Sequence, residues 1–312
     1  MSKLIKIILC LFPVAAVLFV FMAITTYSAK PIEKNINSNS KVAGSKIYNL
    51  GPENTFNLSN SAPTNSTLES LTAQSVYIYD LTNKKTLFAK NPNDKIPVAS
   101  TLKILTGALS LDNSSTNTVF TVSQKAAEVG EDSMQLSQDE KMTVEDLLYG
   151  LMLPSGNDAA VTLAEGTAGT EQNFVDVMNQ KAVKIGMNNS FFVNASGLEG
   201  DGNDYSTARD MTQLAAYVWQ NYSLMQKISG KYNYNIEATE NHKEFDLYNE
   251  TNLLTTYPGV KGFKPGFTPK AGFCLITVAE INGHDVIITM LNSVNRREEM
   301  RQVLDNLKNI IQ

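Results

Sequence analysis

The chain has 312 residues, 43% of them hydrophobic and 18% charged, with a formal net charge of −5. That length suits one large globular domain or two small ones, and a mildly acidic chain without a dense Lys/Arg patch lacks the electrostatic footprint of a nucleic-acid binder. Cys10 and Cys274, like His242 and His284, lie far apart in sequence. They predict no disulfide framework, no His/Cys metal site and no cofactor.

Residues 7–24 form an uncharged apolar run, preceded by Lys3 and Lys6 and followed by Lys30 and Lys34. Its length suits a short membrane span. A cleaved signal peptide is the rival reading, but the run exceeds the ~7–15-residue core of such peptides, and Tyr27-Ser28-Ala29 is a poor cleavage site. Cys10 follows Leu9 rather than a small residue and makes a poor lipidation site. The expectation is a membrane anchor over residues 1–30 with the remainder outside the cytoplasm, or a secreted protein if that segment is cleaved. Residues 31–70, rich in Asn, Ser, Lys, Pro and Gly without helical or strand period, predict a flexible tether. Phe56 and Leu58 are the residues that would dock if this stretch packed instead.

The folded domain is expected over residues 71–312. Ser75-Val76-Tyr77-Ile78-Tyr79-Asp80 and Thr86-Leu87-Phe88-Ala89 flank a polar turn and predict a β-hairpin. The extended Ile96-Pro97-Val98-Ala99 then gives way to Ser100-Thr101-Leu102-Lys103 and a run, residues 104–109, with the apolar spacing of a buried helix. Thr143 caps a helix beginning at Val144 that must stop near Pro154. Further helices are predicted from Asp158 to about Glu165, along Phe174, Val177, Met178, Ala182 and Ile185 to Gly186, and from Ser206-Thr207 through Met211, Leu214, Ala215 and Val218. Strands return after Tyr257-Pro258-Gly259, with Lys264 opening the first of them. Residues 272–279 and 285–291 are joined around Asn282-Gly283, a strong hairpin signal. An amphipathic helix carrying Met300, Val303, Leu304, Leu307 and Ile310 closes the chain. Strands at both ends with helices between them predict an α+β fold: an antiparallel sheet built from both ends of the domain and flanked by helices, with an inserted helical lobe. The cleft between sheet and lobe is the natural site.

Three short motifs converge on that cleft. Residues three apart on a helix share a face, so Lys103 can take the proton from Ser100 and make it a nucleophile. A helix start also supplies free N–H groups and a positive dipole end beside it. Ser38-Asn39-Ser40-Lys41 has the same spacing but sits in a polar, low-complexity stretch. Ser155-Gly156-Asn157 occupies the break after Pro154, where a loop can aim a second hydroxyl and an amide. Lys264-Pro265-Gly266 adds a cation from the C-terminal strands. His242 and His284 read as surface residues, which disfavours a Ser-His-Asp mechanism.

The order S-x-x-K, S-x-N, K-x-G resembles the serine D,D-peptidase and β-lactamase superfamily, whose third motif is usually K-[T/S]-G. The flanking Pro97-Val98-Ala99, Asn194-Ala195-Ser196-Gly197-Leu198, Ser206-Thr207-Ala208-Arg209-Asp210 and Ala271-Gly272-Phe273-Cys274-Leu275 are similar to the low-molecular-mass D-alanyl-D-alanine carboxypeptidases of peptidase family S11. The similarity runs from about residue 71 to the C-terminus. It leaves no room for the extra C-terminal β domain and anchor helix of many members, whose place the N-terminal anchor would take. The resemblance implies a penicillin-binding enzyme of cell-wall peptidoglycan that removes the terminal D-Ala of stem peptides ending in D-Ala-D-Ala and is inhibited by β-lactams.

Carried over by position, the resemblance makes Ser100 the nucleophile, Lys103 its general base and Ser155 the relay to the departing amine. Asn157 would bind the substrate backbone and Lys103. Lys264 would lower the pKa of Lys103, and the N–H groups of Ser100 and Phe267, next to Gly266, would form the oxyanion hole. An arginine holds the substrate carboxylate in such enzymes, and Arg297 is the match, with Arg296 close behind. Pro265 departs from the family's Thr/Ser, removing a hydroxyl that helps bind that carboxylate. A non-catalytic or altered-specificity peptidoglycan-binding homologue is therefore the alternative. A class A β-lactamase is disfavoured, because no E-x-x-L-N loop is present and the second motif is S-G-N rather than S-D-N.

Overall fold

The computed structural model describes residues 47–311 apart from 54, 57, 201 and 252. The expected anchor and the tether up to residue 46 lie outside the described residues. In chain order the elements are α1 (Ser66–Glu69), β1 (Ser75–Asp80), β2 (Lys85–Lys90), a 3₁₀ turn (Ala99–Leu102) continuing into α2 (Lys103–Asn113), β3 (Val119–Thr121), α3 (Gln124–Ala127), β4 (Lys141–Thr143) and α4 (Val144–Met152). Then follow α5 (Asn157–Ala168), α6 (Glu171–Lys184), α7 (Ala208–Asn221), α8 (Ser223–Ser229), β5 (Asn233–Ile236), β6 (Phe245–Tyr248), α9 (Leu253–Thr256), β7 (Val260–Thr268), β8 (Gly272–Ile281), β9 (His284–Ser293) and α10 (Arg296–Ile310).

The main sheet has the order β2-β1-β9-β8-β7, all neighbours antiparallel. The two chain ends meet where β1 pairs with β9, Tyr77 opposite Thr289. Strand alternation divides the sheet's side chains between two cores. Val76, Ile78, Leu275, Ile288 and Met290 pack with Met300, Val303, Leu304 and Leu307 of α10. Tyr77, Tyr79, Ile276, Ile287 and Leu291 join the helical lobe instead, where α2 contributes Ile104, Leu105, Ala108 and Leu109. Thr143, Thr170 and Thr207 cap α4, α6 and α7, each accepting a hydrogen bond from a backbone N–H three residues on. β7 is an edge strand that begins at Val260, four residues before Lys264. The hairpin of β5 and β6 and the short β3/β4 pair carry too few alternating residues to announce themselves in sequence.

Among the described residues, the stretch from Tyr48 to residue 70, expected as tether, packs with the domain. Leu58 is 3% exposed in the main core, with Tyr48, Leu50 and Phe56 against it. Polar groups of the lobe and of β1 bind this segment's backbone. Arg209 donates to Leu58 O at 2.9 Å, Tyr77 to Ser59 O at 2.7 Å and Lys181 to Leu50 O at 3.0 Å. Long-range side-chain partners leave no local period, so composition alone made the stretch look loose.

Lys181 anchors that contact through a buried ion pair with Asp112 at 2.6 Å and hydrogen bonds to Tyr217 and Tyr222 at 3.1 Å. Asp112→Ala would leave a buried ammonium unpaired, which costs about 3–5 kcal/mol when the charge is retained. Burial already holds Lys181 below its ordinary pKa despite Asp112, so the amine can shed its proton and soften the loss. The expected destabilisation is near the low end, about 3 kcal/mol by urea unfolding, with faster proteolysis around residues 48–52.

Candidate active site

The nucleophile turn is built by strain and close packing. Ala99 has φ 48°, in the left-handed region, and hands the chain from Val98 (φ −115°, ψ −1°) into the 3₁₀ turn that carries Ser100. Ser100 thus lies in the 3₁₀ turn three residues ahead of Lys103, which opens α2. Both are buried. Ser155, after the Pro154 break, also has a positive φ, 63°. Left-handed non-glycine residues cost of order 1–3 kcal/mol each and persist where surrounding structure holds them.

Lys103 Nζ is the hub. It lies 2.7 Å from Ser100 Oγ, 2.7 Å from Asn157 Oδ1, 2.7 Å from Ser155 O and 3.2 Å from Ser155 Oγ. Burial first, and then the charge of Lys264, hold this amine well below its ordinary pKa. A neutral amine has two hydrogens and one lone pair. Ser155 O and Asn157 Oδ1 can only accept and take both hydrogens, which leaves the lone pair for the hydroxyl of Ser100.

Lys264 is fully buried on β7, and burial lowers its pKa to about 8. Among the described residues its Nζ has no hydrogen-bond partner. Gly266 sits against the nucleophile turn: a Cβ there would stand 3.0 Å from Ser100 N and 3.1 Å from Thr101 N. The strand can run this close only because position 266 has no side chain. Phe267 follows, half exposed, its ring 4.6 Å from that of Phe273.

The two arginines separate, because successive residues at a helix start project about 100° apart. Arg296 lines a cavity of about 370 Å³ with Glu131, Asp132, Ser155, Glu250, Gly266 and Phe267. Its Nη1 donates to Gly266 O at 2.6 Å and Cys274 O at 3.3 Å. Arg297, the expected match, is exposed and lines a separate small cavity with Pro265, Leu275 and Thr251. The local order Arg-Arg could not tell the two apart, and the geometry replaces Arg297 by Arg296 as the cation of the Ser155 cavity.

Sequence reasoning missed the supports from Asp158 and Glu250, and it named Gly197 only within the flanking Asn194–Leu198 motif. Asp158 accepts hydrogen bonds from Ser133 Oγ at 2.6 Å, Met134 N at 3.1 Å and Leu136 N at 2.9 Å, pinning the loop that carries Glu131 and Asp132. Its position next to Asn157 was the only available signal. Gly197 lies under the nucleophile turn, where a Cβ would be 2.3 Å from Ala99 O. Glu250 projects from an irregular stretch after β6, its N–H bonded to Leu153 O at 3.2 Å. The histidines stay away from the cleft: His284 Nδ1 meets Asp80 Oδ2 at 2.9 Å, and His242 Nδ1 lies 2.8 Å from Lys243 O. Among the described residues no cluster of three potential metal ligands occurs.

A serine hydrogen-bonded to a buried lysine, in a cleft between an antiparallel sheet and a helical lobe, defines a class of protein, the serine D,D-peptidases. Residues 59–295 match the peptidase S11 family, described as D-alanyl-D-alanine carboxypeptidase, and the chain belongs to that family. It is 34% identical over 237 residues to D-alanyl-D-alanine carboxypeptidase DacF of Bacillus subtilis, across 74% of this chain and 60% of that protein. It is likewise 34% identical over 225 residues to a D-alanyl-D-alanine carboxypeptidase of a Streptomyces species, across 67% of this chain and 77% of that one. The crystal structure of the Streptomyces K15 DD-transpeptidase superposes with a TM-score of 0.71 at 28% identity, covering 78% of this chain and 98% of that one. The chain thus spans 60% of the Bacillus relative's length.

Proposed function

We propose that this chain is a serine-type D-Ala-D-Ala carboxypeptidase that removes the terminal D-Ala from peptidoglycan stem peptides. The observation that carries this reading is the 2.7 Å contact between Ser100 Oγ and Lys103 Nζ, with Asn157 and Ser155 holding the amine. In the proposed sequence, neutral Lys103 takes the Ser100 proton as Oγ attacks the penultimate D-Ala carbonyl. The N–H groups of Ser100 and Phe267 stabilise the oxyanion. Ser155 passes the proton to the departing D-Ala amine as the C–N bond breaks, and water then attacks the ester with Lys103 again as base. Asn157 positions the substrate backbone, and Lys264 keeps a positive charge beside Lys103.

Benzylpenicillin enters the same path, its lactam C–N bond opening as the Ser100 ester forms. The non-catalytic alternative leaves a nucleophile and a neutralised amine in contact without a use. Pro265 pairs with Leu275 on the edge strand, so the altered third motif leaves β7 in register.

The location is part of the proposal. Among the described residues no helix is long and apolar enough to cross a membrane, and the apolar run of residues 7–24 would supply the anchor that holds the domain outside the cytoplasm.

The test uses the full-length chain. Benzylpenicillin should add one covalent equivalent mapping to Ser100 by mass spectrometry, absent in Ser100→Ala, and diacetyl-L-Lys-D-Ala-D-Ala should release D-Ala. Absence of both adduct and D-Ala release would sink the enzyme reading.

A further inference from the structure

Arg296 is a half-buried cation without a paired anion. Its hydrogen bonds, to Gly266 O and Cys274 O, both leave from Nη1, and among the described residues it makes no ion pair. A guanidinium carries five N–H groups, so those on Nη2 and Nε remain for a ligand. Adjacent Nε–H and Nη2–H groups match the two oxygens of a carboxylate. In the cavity that Arg296 lines with Ser155 and Gly266, the group of that shape and charge is the free carboxylate of a leaving D-Ala.

Two carbonyls on one nitrogen fix a point of the guanidinium and leave its plane free to pivot about that point. A ring restrains the plane: Arg296 Cζ lies 5.2 Å from the centroid of Phe273. Phe273 is the cross-strand partner of Phe267 between β7 and β8, the ring centroids 4.6 Å apart and the planes inclined by 32°. Cross-strand rings hold one another in place, so the surface that meets the guanidinium is itself supported. Burial does not account for this pair, because Phe267 is 50% and Phe273 38% exposed. Pro265 adds to the demand on Arg296, since it offers neither a hydroxyl nor an N–H to the same carboxylate.

We propose that Phe273, backed by Phe267, is a positioning residue for Arg296. It holds the guanidinium in the plane in which the Nε–Nη2 edge receives the free carboxylate of the leaving D-Ala, and so supports the preference for a donor that ends there. The inference rests on the acyl-enzyme reading above and deepens it. The chemistry of acyl transfer is unchanged, and Phe273 acts through Arg296 rather than on the reacting atoms.

The experiment measures kcat and KM in the full-length chain for diacetyl-L-Lys-D-Ala-D-Ala and for its C-terminal carboxamide. Wild type should favour the carboxylate by about 10-fold or more in kcat/KM, the scale of one charged hydrogen-bonded contact. Phe273→Leu keeps an apolar side chain and removes the ring face. It should lower the carboxylate-to-carboxamide ratio about 5-fold, the scale of a cation–π contact, through KM for the carboxylate. Phe273→Tyr should keep the wild-type ratio. Arg296→Gln should abolish the preference, and adding Phe273→Leu to it should change the ratio no further, because residues that act through one contact are not additive. If Phe273→Leu does not fold, Phe267→Leu removes the ring behind Phe273 and should lower the same ratio. A ratio unmoved by the folded variant, or lowered equally when Arg296→Gln is already in place, overturns the proposal. A D-alanyl thioester with an uncharged thiol leaving group separates the failures. Turnover of the thioester with an unmoved ratio defeats only this inference, and no turnover of any donor defeats the acyl-enzyme reading with it.

Discussion

Lys103→Met is expected to slow β-lactam acylation of Ser100 by about 10³-fold or more, the scale of a positioned general base combined with loss of nucleophile activation. Methionine keeps the length of the side chain while removing the lone pair that lies 2.7 Å from Ser100 Oγ. Ser155 O and Asn157 Oδ1 then lose their donor, at about 1–3 kcal/mol for each group left unsatisfied. Deleting a buried amine works the other way, so the variant should stay folded and the loss should appear in the acylation rate rather than in the thermal midpoint.

The same pair of lysines sets the pH dependence. Acylation should increase as pH rises through the lowered pKa of Lys103, and decline as Lys264 loses its charge near pH 8. Lys264→Met removes the second-largest cause of the Lys103 shift, so the acid limb should move to higher pH. Stability follows the opposite logic from an ordinary ion pair. Both amines bind protons less readily when folded than when unfolded, so stability rises with pH between the folded value and the ordinary 10.5. For Lys264 that window runs from about 8 to 10.5, worth on the order of 3 kcal/mol, and the penalty is present in full below it. Stopped-flow acylation and urea unfolding across pH 6–10 check both limbs; a flat rate profile would contradict the lysine assignment.

The parts of this site legible in sequence are those fixed by local geometry. Ser100 and Lys103 are three apart at a helix start, and the Pro154 break exposes Ser155 and Asn157. The sheet was legible because Val76 to Tyr79, Cys274 to Ala279 and Val286 to Leu291 are dense in β-prone residues and Asn282-Gly283 marks the turn between the last two. What stayed hidden depends on residues far apart in the chain. Nothing local separates Arg296 from Arg297, whereas β7 and β8 supply carbonyls only to the first. Glu250 lies in a polar stretch without period. Residues 48–59 read as a tether because Lys181 and Arg209, which bind their backbone, sit more than a hundred residues away in sequence, and Tyr77 lies in β1 beyond the stretch itself.

Gly197→Ala carries the second large expectation, because it reaches the nucleophile through backbone alone. Gly197 has φ 84°, and a Cβ there would lie 2.3 Å from Ala99 O, 2.4 Å from Ala99 C and 2.9 Å from Ser100 N. None of these atoms belongs to a flexible side chain that could move aside. The loop is itself fixed, since Asn194 Oδ1 accepts from Gly197 N at 2.7 Å and Thr106 Oγ1 donates to Ala195 O at 2.7 Å. The left-handed conformation alone costs an alanine about 1–2 kcal/mol, and the clash must displace either the loop or the turn. A total near 3 kcal/mol is expected, with acylation reduced about 10²-fold if the turn shifts by ~1 Å. Gly283→Ala is the matched control: its φ is 82° and nothing lies within 4 Å of the added Cβ. It should lose only the conformational term, about 1–2 kcal/mol, and acylate at the parental rate. Equal effects of the two substitutions on acylation would show that the contact beneath Ala99 does not position Ser100.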